Sequence, residues 1–288
     1  MKTILIPVDF SEGSLHSCKY AMKLADNQKV TFHLFHIYND QVMVPDSGLP
    51  EAMDNDVFFN SDIVLALKKQ AEQQLAEIEQ QVKKLIKASG QDISITSSLQ
   101  GGDPRWEITE TCKELQPDMV IMGTRGHGKK GFLEGSMAKE IMAKAHVPVL
   151  AIPESYSGFR LKNIMYPTGF NKLDIHALEQ IFKLFAHIPF KMHVCHFVLN
   201  TKKQETALLV EELEKAFENE HREGRIEFSV IEATDKNEAL KTFTEDNNID
   251  MVAFLAEKKN IIKQLFSSHR IHKKDFFKLE LPMLALHE

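Results

Sequence analysis

Along this chain, short unbroken apolar runs alternate with longer stretches in which apolar residues recur every three or four positions. The runs are Ile4 to Val8, Val30 to Ile37, Ile93 to Leu99, Met119 to Met122 and Val147 to Ile152. Runs of that length and composition predict strands buried on both faces of a parallel sheet. The periodic stretches predict helices. Ser14 to Ala25 places Leu15, Cys18, Met22 and Ala25 on one face, and Ser61 to Ala88 carries Leu65, Leu75, Ile78, Val82 and Leu85. Trp106 to Leu115 and Ser136 to Ala145 complete the set, with Asp103 as N-cap, Pro104 in the first helical position and Trp106 packed at the helix start. Asn39 to Asn60, with Pro45, Gly48 and Pro50, reads as a long surface loop. Five strands joined by helical crossovers predict a doubly wound α/β sheet, whose ligands bind beyond the carboxyl ends of the strands.

The pattern then repeats. Lys2 to Phe10 returns as Lys162 to Phe170 at an offset of 160 (164 − 4), and Phe32 to Ile37 returns as Met192 to Phe197 at the same offset. Asp118 corresponds to Asp250, where the offset has fallen to 132 (250 − 118), so the second copy is shorter by 28 residues. Val147 to Ile152 recurs as Leu281 to Leu286. The 288 residues therefore predict two tandem five-stranded domains, 1–154 and 159–288, joined by a short polar linker.

Composition narrows the class. Hydrophobic residues at 43% and charged residues at 26% exclude disordered and collagen-like chains. A net charge of -6 gives no global attraction to nucleic acid or anionic membrane, so neither is expected as a partner. Cys18, Cys112 and Cys195 lie far apart and form neither a disulfide framework nor a zinc motif. With no export signal and no apolar stretch of about 18 residues, the expected location is the cytoplasm.

Positive charge and glycine concentrate after the fourth strand, in Gly123 to Ser136. Glycine lets backbone N–H groups approach an anion, and a helix start adds unpaired donors, so the segment predicts a phosphate-binding loop. Arg125, His127, Lys129 and Lys130 either pair with phosphate or are solvated. Gly126 to Gly131 fits G-x-G-x-x-G, but not in the first strand-helix turn and without the acidic residue that the dinucleotide fingerprint requires. Gly123 to Lys130 approaches the P-loop, but Lys130 stands where a hydroxyl would hold Mg²⁺.

A third pattern fits better. Gly123-x-x-Gly126 followed by Gly135-Ser136, together with Pro7-Val8-Asp9-Phe10-Ser11, His36-Ile37 and Val147-Pro148-Val149, resembles the universal stress protein family. Its nucleotide-binding members carry G-x-x-G, nine residues and G-[ST]; the spacer here holds eight (135 − 126 − 1). The resemblance implies an adenine nucleotide alpha hydrolase-like fold in each half, packed as an intrachain pseudo-dimer through the last strands, with further homodimer pairing left open. It implies ATP, ADP or AMP in the first domain, with Mg²⁺ as an optional companion although no metal-holding pair is recognisable. The implied contacts are Pro7, Val8, Asp9, Ile37, Met122, Gly123, Arg125, Gly126, Gly135, Ser136 and Met137. Asp9 would accept from ribose or adenine, or else cap the helix that follows; Gly135 and Ser136 would donate to phosphates.

In the second copy Gly169 replaces Asp9, and Ala256 to Ser268 contains no glycine, so no nucleotide is expected there by the same mode. His33/His36 and His193/His196 form H-x-x-H pairs, but strand residues three apart face opposite ways and cannot clamp one metal. The segment with Phe266, Phe276 and Phe277 beside His269, Arg270, His272, Lys273 and Lys274 reads as an amphipathic helix with a basic face rather than a partner surface. The expected function is a stress-response protein acting through nucleotide occupancy. The alternatives are a partner-binding scaffold without nucleotide and a slow ATPase or phosphotransferase, the latter lacking a recognisable general base.

Overall fold

The computed structural model describes residues 1–40, 53–124, 136–168, 173–198, 211–232, 235–256 and 279–287. The chain divides into two compact units, Met1–Met137 and Ala138–Glu288. The first contains β1 (Thr3–Pro7), α1 (Glu12–Leu24), β2 (Val30–Tyr38), α2 (Met53–Ser89), β3 (Ile93–Gly101), α3 (Pro104–Leu115) and β4 (Met119–Gly123), with strand order β3-β2-β1-β4. All of its described pairings are parallel: Thr3↔Thr31 to Pro7↔Phe35 join β1 to β2, and Ile4↔Met119 and Leu5↔Val120 join β1 to β4. Ile4, Leu5 and Ile6 are fully buried. Each such side chain contributes roughly 1.5–3 kcal/mol relative to exposure, which explains why the central strand is apolar without alternation.

α4 (Ser136–Lys144) spans the division, and the second unit continues with β5 (Val149–Ile152), β6 (Asn163–Pro167), α5 (Asp174–Leu184), β7 (Lys191–Val198), helix Glu218–Arg222, β8 (Ile226–Glu232), helix Lys236–Asp246, β9 (Met251–Leu255) and β10 (Met283–Leu286). Its strand order is β5-β10-β9-β6-β7-β8. The one antiparallel pairing described joins β10 to β5, Leu284 facing Leu150. All four residues of each of these two strands are buried. The fifth strand of the first repeat is thus counted in the second compact unit, while 1–154 and 159–288 remain the repeat boundaries expected from sequence.

Equivalent hydrogen bonds recur at the repeat offsets. Val8 N donates to Phe35 O at 2.8 Å, and Thr168 N donates to Cys195 O at 2.9 Å. Asp118 Oδ2 accepts from the amides of Lys2 and Thr3, as Asp250 Oδ2 does from those of Lys162 and Asn163. These carboxylates satisfy the amide groups at the start of β1 and of β6, which ladder bonds leave exposed to the cost of desolvation.

Several sequence expectations need correction. α2 begins at Met53, within the stretch read as loop, and only 41–52 of that loop lies outside the described residues. Its buried stripe is Ala71, Leu75, Ile78, Val82 and Ile86; Leu65 is 65% exposed, and Ile86 takes the core place assigned to Leu85. The apolar period thus continues into the first described turns of the helix, where Ile63 and Leu65 are exposed. Trp106 is also not packed at its helix start: it is 63% exposed, with Lys113 Nζ 5.9 Å from the ring centroid. Asp103 does cap α3, accepting from Arg105 N at 2.8 Å and Trp106 N at 3.3 Å.

Candidate functional site

The parallel register brings the carboxyl ends of β1, β2 and β4 side by side. Beyond β1 the chain turns sharply. Phe10 adopts φ 64, a left-handed conformation that costs a non-glycine residue about 1 kcal/mol, and Ser11 follows as the N-cap of α1. The turn is held by Asp9, whose Oδ1 accepts from Ser11 N (3.1 Å), Ser11 Oγ (2.6 Å) and Ser14 Oγ (2.5 Å). Ser14 Oγ in turn accepts from Asp9 N at 2.9 Å. Asp9 therefore braces the helix start without being its N-cap, and the half-buried carboxylate is held in one orientation at the strand end.

His36 closes the other side. Its Nδ1–H donates to the Val8 carbonyl at 2.6 Å, and its ring lies 4.1 Å from that of Phe10, centroid to centroid. The carbonyl fixes the tautomer, because only a protonated Nδ1 can face it; in the neutral ring Nε2 keeps the lone pair. Burial pulls the imidazole below its ordinary 6.5, against the opposing pull of the Val8 bond and the Asp9 charge. His196 repeats the arrangement, donating to Thr168 O at 2.9 Å. Sequence reading treated these histidines as strand-end residues; their tie across to the first-strand turn was not apparent, although the repetition of H-x-x-H at one offset was the available signal.

Of the expected contact residues, Pro7, Asp9, Ile37 and Gly123 are partly exposed at the strand ends. Val8 and Met122 have buried side chains, 4% and 5% exposed, so only their backbones can meet a ligand. Ser136 is the first residue of α4, and Met137 next to it is exposed. Arg125, Gly126 and Gly135, with His127, Lys129 and Lys130, lie outside the described residues.

His33 and His36 do not share partners: His33 sits between Thr96 Oγ1 (2.8 Å) and Ser98 Oγ (2.7 Å) on β3. Nearby, Gly102 (φ 143) leaves no room for a Cβ beside Glu107 Oε1, and burial followed by the charges of Asp40, Glu110, Glu114 and Asp103 raises the Glu107 pKa.

Comparison with known proteins follows from this geometry. The sequence profile of the Universal stress protein family matches residues 1–153. The chain belongs to that family. A universal stress protein of Methanocaldococcus jannaschii, MJ0531, is 29% identical over 152 residues, 52% of this chain and 81% of that one. Universal stress protein G of Escherichia coli O157:H7 is 28% identical over 155 residues, covering 52% and 98% respectively. The crystal structure of a universal stress protein from Archaeoglobus fulgidus covers 99% of this chain and 96% of its own, with a TM-score of 0.64 at 17% identity. That likeness extends the family fold over both halves, including the half beyond the profile match.

At the position of Ser14 in this universal stress protein's second half stands Asp174 (174 − 160 = 14). It is 3% exposed and accepts from Tyr166 OH at 2.8 Å and Thr168 Oγ1 at 2.5 Å. The carboxylate that the first half presents on its strand-end turn is thus replaced by one sealed beneath the helix. Gly169 and residues 257–278, on which the loss of the glycine loop was read, lie outside the described residues.

Proposed function

We propose that the protein binds an adenine nucleotide, AMP, ADP or ATP, in its first half, and that occupancy regulates its contacts with other molecules in a stress response. The observation that carries this reading is the braced Asp9 carboxylate at the end of β1, beside the ends of β2 and β4. A carboxylate already fixed by three hydrogen bonds can accept from ribose or adenine without ordering cost. Backbone at Val8, Ile37 and Met122 borders the place of the base; Pro7 and Gly123 flank it. Gly126, Gly135 and Ser136 with the start of α4 suit phosphates, because helix N-termini and glycine backbones offer N–H donors; Arg125 adds charge, and Met137 covers the edge. Mg²⁺ would enter as a counterion of the phosphates rather than on protein ligands. The second half serves as a structural partner, its β10 paired with β5.

Calorimetric titration of AMP, ADP and ATP, with and without Mg²⁺, into the wild type, Asp9→Ala and Gly135→Val tests this. Asp9→Ala is expected to weaken binding about tenfold or more, the size of one lost charge-assisted hydrogen bond, and Gly135→Val to weaken the di- and triphosphate most. Unchanged affinity in both variants would remove the site. No binding to the wild type would leave a partner-binding scaffold as the function.

A further inference from the structure

Within the second unit, a groove of about 370 Å³ runs along α5 at the carboxyl ends of β9 and β10. Its walls follow from topology. His176, Ala177 and Lys183 lie on one helical face with Leu173 just before it. Leu255 ends β9 and His287 follows β10, which runs parallel to β9. β5 is antiparallel to β10, so His146, just before β5, arrives at the same end.

The lining divides into a basic set and an apolar set. Leu173, Ala177 and Leu255 are apolar, whereas His146, His176, His287 and Lys183 are basic. Glu179 is the acidic member, 3.5 Å from His176 Nδ1. His287 is fixed by its Nε2–H, which donates to Met142 O at 2.8 Å. Where Val147 corresponds to Leu281 the offset is 134 (281 − 147), so the repeat counterparts of His146 and His287 are Glu280 and Pro153. His176 and Lys183 recur in the first copy as His16 and Lys23 (176 − 160 and 183 − 160), so the duplication supplies these two, whereas His146 and His287 are particular to this groove.

We propose that the groove binds a small phosphate monoester, its phosphate held by Lys183 with the ring N–H groups of His146 and His176, and its organic part resting on Leu173, Ala177 and Leu255. Side-chain cations replace the glycine backbone of a nucleotide loop, and the volume falls in the ~300–1,000 Å³ range of small-molecule sites. The groups that set the charge are His146 from the turn before β5, His287 after β10, and His176, Glu179 and Lys183 from α5.

The test is a calorimetric titration of the full chain with phenyl phosphate, inorganic phosphate and phenol. Phenyl phosphate is expected to bind more tightly than inorganic phosphate or phenol. Lys183→Glu, an exposed substitution, is expected to weaken it at least tenfold. Asp9→Ala is expected to leave it unchanged, which separates this groove from the nucleotide site of the first half. Binding lost in Asp9→Ala but kept in Lys183→Glu would overturn the proposal, as would equal affinity for inorganic phosphate.

Discussion

Single residues decide how the two halves differ. Asp9 and Asp174 are both carboxylates engaged by hydroxyl groups of the strand-end turn, but one remains at the surface and the other is sealed. Displacing the hydroxyl partners of Asp174 would leave a buried carboxylate without hydrogen bonds, a cost that the half-buried Asp9 avoids in part through solvent. Histidines set a pH dependence at the same scale. Burial holds His33, His36 and His193 below the ordinary 6.5. A lowered folded pKa means that the unfolded chain binds protons more readily, so the stability these rings contribute is complete above about pH 6.5 and is lost as pH falls through their folded values. Thermal unfolding is therefore expected at a lower midpoint at pH 5.5 than at pH 7.5, with a smaller difference in His36→Gln. A midpoint that rises on acidification would contradict this account.

At the scale of elements, helix starts and strand ends were legible because their chemistry is local. Asp103-Pro104 signals the start of α3, and the apolar runs mark the strands to within two residues. Ile93 to Leu99, however, is interrupted by Ser94, Thr96, Ser97 and Ser98, and β3, at the sheet edge, has no buried residue where burial on both faces was expected. The long helix α2 was harder. Its stripe obeys the helical period from Leu65 onward, yet burial begins at Ala71, because periodicity records what a helix can cover and not where its partner ends. A pair of substitutions measures the distinction. Ile78→Ala is expected to destabilise by about 2–5 kcal/mol and Leu65→Lys by less than about 0.5 kcal/mol in denaturant unfolding. Comparable losses from both would place Leu65 in a core.

For the whole molecule, the duplication predicts stoichiometry. Asp9 stands on the turn after the first strand of the first half where the second half has Gly169, so saturation with AMP is expected at one nucleotide per chain by calorimetry or equilibrium dialysis; two equivalent sites would show that the second half binds despite Gly169. The closing strands β5 and β10 pair antiparallel with every residue buried. Apolar strands with no polar face must be covered on both sides, which is why their sequence alone suggested partners.

Periodicity, repeat offsets and cap residues by themselves determined the α/β class and the doubling, because these depend on spacing along the chain. Only the tertiary structure decided that Asp9 braces the α1 turn, that His36 ties β2 to Val8, that Asp174 is buried, and that His146, His176, Lys183 and His287 surround one groove. Those arrangements bring together residues up to 141 positions apart (287 − 146). Strand order and register create such neighbours, and no local pattern encodes them.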